Sequence, residues 1–142
     1  MANLSKSKYI TYCQCPKALW LKQYKSEEMV IDPLTQARFD AGTEVGELAK
    51  RLFGDFVEAT TYKTAADGTQ RLDLGAMAAA TQKALAEGAE NIAEAAFIYD
   101  GCYCAVDLLH KTPHGYAIYE VKSSTDLKEL EVYAQDVAYQ KY

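Results

Sequence analysis

The sequence predicts an α/β fold in which helices flank a mixed central sheet, and three observations carry that prediction. Apolar residues recur at helical spacing through the first half of the chain, alternate like strands over 91–123, and return to helical spacing near the end. Asp100-Gly101 joins the first two alternating stretches and is a strong hairpin turn; Thr112-Pro113-His114-Gly115 separates the second from the third. The resulting order, three helical regions, a three-stranded meander and a final helix, argues for a layered sandwich.

The elements follow in turn. Ser5 is placed to cap a first helix carrying Tyr9, Ile10 and Cys13. Pro16 opens a second helical segment with Ala18, Leu19 and Leu21, at a position where its missing N–H matters least. Residues 26–31 read as a loop. Asp32 then caps a helix opened by Pro33, in which Val45, Leu48, Ala49, Leu52 and Phe53 mark the clearest amphipathic stripe; Gly54 closes it. Residues 55–60 are a short strand candidate. Residues 61–73, with Asp67-Gly68, read as an exposed loop or hairpin. A helix over 74–87 ends at Gly88. Strands are expected over 91–99, 102–110 and 116–123, and a last helix over 127–142 through Leu130, Tyr133, Ala134, Val137 and Ala138.

The 142 residues suit one domain, 1–142, with a real but modest core. No apolar run approaches the ~18 residues of a membrane span, and the N-terminus has no apolar signal region, which places the protein in the cytoplasm with no membrane partner. The last residues continue a helical pattern with no Gly or Pro stop. The chain is therefore expected to be an N-terminal fragment of a longer protein, with a bare core face that favours self-association. A net charge of −5 does not help nucleic-acid binding as a whole. Lys6, Lys8, Lys17, Lys22 and Lys25 nevertheless crowd the first 25 residues, as a phosphate-steering patch or as a solvated helix face.

Chemistry concentrates between Ala105 and Thr125. Asp107 lies on one predicted strand, and Glu120-Val121-Lys122 on the next. Residues i and i+2 share a strand face, so Glu120 and Lys122 project together, and Asp107 joins them if it sits opposite. Two carboxylates and an ammonium would then hold a hard divalent cation beside a lysine. The same Glu-x-Lys also describes a solvated face with a weak ion pair. Asp107 next to Val106 weighs against that, because a carboxylate among apolar neighbours is costly to bury without a partner. Cys13/Cys15 and Cys102/Cys104 form Cys-x-Cys pairs, a poor match to zinc spacing. Cys102 and Cys104 have opposite parity to Asp107 and read as small packing residues.

Asp107, a turn, then Glu120-Val121-Lys122 resembles the signature of the PD-(D/E)XK nuclease superfamily. Tyr119-Glu120-Val121-Lys122-Ser123-Ser124 is similar to its RecB-like and CRISPR-associated exonuclease branch. Cys15-Pro16-Lys17, Glu94 before Phe97, and Gln135-x-x-x-Tyr139 resemble further motifs of that branch, in its order. The resemblance implies a restriction-endonuclease-like fold and a Mg²⁺- or Mn²⁺-dependent DNA nuclease, exonuclease-like in action. Asp107, Glu120 and Lys122 would be catalytic. The cation would be held by Asp107 and Glu120, the Val121 carbonyl and Glu94. Gln135, Tyr139 and Lys17 would contact nucleic acid, with Gln140 a rival for the glutamine's role and Tyr9 and Trp20 as stacking or core aromatics. Cys15 would be an iron–sulfur ligand only in a longer chain, so no cluster is expected within this one. One departure stands out: where the branch often carries a metal-binding His four residues after a glycine, Gly42 is followed by Gly46. Helical geometry sets Glu44 on the other flank of the apolar stripe and Glu47 toward solvent, so neither replaces it. His110 and His114 read as surface residues. Two other readings compete: a nucleic-acid-binding module on the same fold with weak or lost catalysis, and a cysteine metal or redox module.

Overall fold

The structure is a computed structural model that describes residues 4–124 and 130–142. It is an α/β protein with a mixed five-stranded sheet. The elements run β1 (Leu4–Ser5), α1 (Lys6–Gln14), α2 (Pro16–Tyr24), α3 (Pro33–Ala49), β2 (Val57–Glu58), β3 (Tyr62–Thr64), β4 (Gln70–Leu72), α4 (Leu74–Ala86), β5 (Asn91–Tyr99), β6 (Cys102–Thr112), β7 (Gly115–Tyr119) and α5 (Leu130–Lys141). The start expected for the last helix, 127–129, lies outside the described residues.

Capping chemistry sets most helix starts. Ser5 accepts from Lys8 N, and Asp32 accepts from Leu34 N and Thr35 N ahead of Pro33. Asp73 accepts from Ala76 N at the start of α4. Gly88, at φ +78°, closes α4 in the left-handed conformation that glycine adopts without strain. The β5–β6 turn uses Asp100 and Gly101, both at positive φ, as a tight hairpin requires.

β5 and β6 are the centre of the sheet and pair antiparallel; β2 pairs parallel with the far side of β5. The other edge of β6 is shared. β1 pairs parallel with Cys102 and Tyr103 at one end, and β7 pairs antiparallel with Leu108 to Thr112 at the other. Residues 104–107 of β6 face a gap between them. The chain leaving β1 and the chain leaving β7 both run toward that gap. α4 covers one sheet face: buried Thr81 accepts from Ala96 N at 2.8 Å and donates to Met77 O, so its hydroxyl is satisfied where apolar contact surrounds it. α1 and α5 pack together on the other face, where Tyr9 and Tyr139 stack at 5.0 Å and Tyr139 Oη donates to Leu4 O. Ile92, Ala95, Val106 and Met77 are the heart of the core.

Three expectations need correction. β7 stops at Tyr119 instead of continuing to Ser123. α3 ends at Ala49, and its apolar stripe is not buried: Leu48 and Leu52 are 77% and 62% exposed, and no α3 residue is fully buried. His110 is half-buried, stacked on Phe53 at 4.0 Å with Nδ1 2.7 Å from Asn91 Oδ1. The Asn91 amide already donates to the carbonyls of Phe53 and Asp55, so the histidine is the donor in that pair. Residues 61–73, expected as a loop or a hairpin, form the two-stranded β3–β4 hairpin.

Candidate functional site

The site lies at the gap in the β6 edge and is built from two pairs of carboxylates. Ala93 pairs with Leu108 and Ala95 with Val106, so Glu94 and Asp107 hold facing positions between these pairs, at a point where the ladder itself is interrupted. Like charges facing each other across a ladder repel. Glu94 also takes φ +54°, a left-handed backbone that a non-glycine residue adopts only at a cost and that recurs at functional sites. Burial, and after it the negative charge of Asp107, push the Glu94 carboxyl above the ordinary glutamate range. Asp107 Oδ2 accepts from Val121 N at 2.6 Å, which fixes the carboxylate and leaves its other oxygen free of that bond.

Glu94 and Asp107 line two adjoining clefts, of about 440 and 720 Å³. Lys6, Tyr103 and Ala105 wall the first; Arg38, Gly42, Gly46 and Lys122 wall the second. Glu47 and Lys50 line both; Glu47 is exposed to solvent, as expected, at the rim of the clefts. Glu47 is held by Lys50 at 2.7 Å, and Lys50 also binds Glu58 at 2.8 Å. A Cβ at Gly46 would meet nothing within 4 Å, so the cleft is open at the position of the absent histidine.

The second pair is Glu120 and Asp136, and here every charge is matched. Glu120 accepts from Lys6 (3.0 Å), from Lys122 and from Gln140 Nε2 (2.6 Å). Asp136 accepts from Lys122 (2.8 Å) and Gln140 Nε2 (2.9 Å) and lies 3.4 Å from Lys6. Burial works against the Lys122 charge, but the hydrogen bonds to Asp136 and Glu120 outweigh it and hold the ammonium well above the ordinary lysine range. Burial likewise works to raise Asp136, and Lys122 and then Lys6 overcome it, leaving its carboxyl below the ordinary range.

The structure thus brings Asp107 and Glu94 together and holds Lys122 in the same cleft. It does not bring Glu120 into the lining of either cleft. The β6–β7 register, with Leu108 opposite Tyr119, would set position 120 beside position 107, but the ladder stops one residue short and Glu120 turns to its cations. Among the described residues, no three His, Cys, Asp or Glu side chains stand close enough together to hold a metal ion. Glu94 and Asp107 alone still suit Mg²⁺ or Mn²⁺: such ions accept one or two protein carboxylates and keep several waters.

Other expected residues have different surroundings. Gln140, not Gln135, reaches Glu120; Tyr139 serves as a docking contact between α5 and the N-terminus. Lys17 is exposed on α2, and of its basic neighbours Lys6 turns inward while Lys22 donates to Thr11. Cys13 and Cys15 are exposed and Cys102 half-buried. Cys104 is buried, and burial pushes its thiol up, away from reactive thiolate. Lys6, Lys50 and Asp136 were missed as site residues. Asp136 lies one helical turn before Gln140, which was the one available signal.

No known protein family, curated protein or solved structure matches this chain. No helix among the described residues is long and apolar enough to cross a membrane.

Proposed function

We propose that the chain is a metal-dependent nuclease domain acting on DNA, on a restriction-endonuclease-like fold. One observation carries the reading: Glu94 and Asp107 are opposed across β5 and β6, half-buried, with Glu94 in a costly backbone conformation. Two carboxylates forced together in a cleft are relieved by a cation. Asp107 and Glu94 would hold Mg²⁺ or Mn²⁺, and Glu120 would join them on giving up its lysine partners. When bound, the ion supplies Lewis-acid stabilisation of charge on a phosphodiester. The Val121 N–H keeps Asp107 oriented. Lys122 stays an ammonium, so its work is to orient the attacking water and stabilise developing negative charge, rather than to take a proton. The test is calorimetry with Mn²⁺ alongside cleavage of linear single- and double-stranded DNA. Wild type should bind and cut, and Asp107→Asn should do neither. Equal Mn²⁺ binding by both proteins defeats the reading.

A second reading is a nucleic-acid-binding module with lost catalysis. It is favoured by the engagement of Glu120 with Lys6, Lys122 and Gln140. DNA retained on the wild type without cleavage in Mn²⁺ would select it.

A further inference from the structure

We infer that Asp136 is the positioning residue for Lys122, and the anchor that keeps its ammonium at the cleft when Glu120 is drawn away. The kinetic part of this inference rests on the nuclease reading above; the anchoring part does not.

The geometry is a ring of alternating charge. Lys122 Nζ is held by one oxygen of Glu120 and by Asp136 Oδ2; Lys6 bridges the same two carboxylates from the other side. Gln140 donates to both carboxylates and spans them. The two anions are almost fully covered, with side chains 6% and 8% exposed, whereas Lys122 is 35% exposed. Covered anions hold their place, and the lysine reaches from them to the cleft surface. Lys122 has a four-carbon stem with many rotamers, so its position is set by what holds its head. Glu120 directly follows β7, one residue past the end of the β6–β7 ladder, and precedes Val121, whose N–H holds Asp107, so it is the anion that a cation in the cleft would recruit. Asp136 belongs to α5, a separate element, and does not move with that exchange. One anchor therefore remains when the other is taken. In Asp136→Asn the negative charge is lost and one of the two acceptor oxygens becomes a donor, so in either amide flip Lys122, or Lys6 and Gln140, meets a donor while the side-chain shape is kept.

The experiment reads Lys122 directly, by heteronuclear NMR of its ammonium group in the full chain. The anchored ammonium should give a slowly exchanging signal in wild type and in Glu120→Gln, and lose it in Asp136→Asn. Asp136→Ser, made alongside, carries the same expectation and covers a failure of the Asn variant to fold. A signal absent from wild type, or kept in both Asp136 variants, overturns the inference. With Mn²⁺ and DNA, Asp136→Asn should lower kcat about 10-fold or more, with KM and Mn²⁺ affinity changed less than about 3-fold. The double variant with Lys122→Ala should be no slower than Lys122→Ala alone, because residues acting through one another fail together. Additive losses overturn the positioning role. A wild type that cuts nothing overturns the nuclease reading instead, and the NMR result still decides the anchor.

Discussion

The two carboxylate pairs have the same formal charge and opposite fates. Glu94 and Asp107 face each other with no ion pair to a cation among the described residues; Lys50 and Lys6 only partly offset the burial and repulsion, and Glu94 is pushed toward protonation. Glu120 and Asp136 share two lysines and a glutamine amide, and Asp136 is held ionised. The difference lies in the elements that supply the neighbours. The first pair sits at the interruption of the β5–β6 ladder, where the facing position is another acid. The second sits between α1 and α5, which bring the Lys6 ammonium and the Gln140 amide from distant parts of the sequence to join Lys122. A fold can therefore keep one pair as structural cement and leave the other short of a positive partner, and the second condition is the one that favours a bound cation.

The largest expected effect breaks the Glu94–Asp107 pair. Asp107→Asn should lower Mn²⁺-dependent cleavage by at least ~10²-fold and remove calorimetric binding of Mn²⁺. An active Asn variant would mean that the pair is not the cation site. Next, Lys122→Ala should leave Mn²⁺ binding in place while the single-turnover rate falls roughly 10²-fold; loss of metal binding in this variant would join the two pairs into one unit and refute their separation. Third, Lys6→Ala should destabilise the fold by roughly 1–3 kcal/mol in urea titration, since Glu120 and Asp136 then share one lysine, Lys122, and the Gln140 amide. An unchanged midpoint would show that the matched pair is not cement.

The smallest effects concern pH and have opposite signs. The Glu94 carboxyl is raised in the folded protein, so its ionisation costs stability as pH rises through the shifted value. Glu94→Gln should melt a few degrees above wild type at pH 7 without metal, and equally with it well below the ordinary glutamate value of about 4.3. Asp136 is lowered, so it contributes stability above its unfolded pKa that is lost as pH falls through the folded one. Asp136→Asn should therefore melt below wild type at pH 7 and converge with it in acid. Thermal melts across pH that move both variants in the same direction would contradict the comparison.

Local signals made much of this legible. The 91–99 strand, the Asp100-Gly101 turn, and the caps at Ser5 and Asp32 depend on residues within a few positions of each other, and all appear as expected. Glu94 and Asp107 were both singled out, and the hairpin register between them follows from that turn. The departure of Glu120 was not legible. Strand parity projects it beside Asp107, but its partners come from residues 6 and 140, and no periodicity within 116–123 reports them. Asp136 was hidden for the same reason. The α3 stripe misled differently: amphipathic spacing states that a helix has an apolar face, not what covers it. His110 looked like a surface residue because the Asn91 and Phe53 contacts that hold it belong to other elements.

Lys6 and Glu120 are 114 positions apart, and Leu4 and Tyr139 are 135 apart. Contacts of such separation form late, because a long loop must close before they return anything. A chain leaving the ribosome N-terminus first exposes Lys6 long before Asp136 and Gln140 exist to meet it. The β5–β6 hairpin, with its two opposed acids, can form from local contacts while the charge ring waits for both ends of the chain. The order of synthesis thus puts assembly of the β5–β6 acids ahead of the ring that holds Lys122, so Lys122 is held in place only after the strands beneath it have folded.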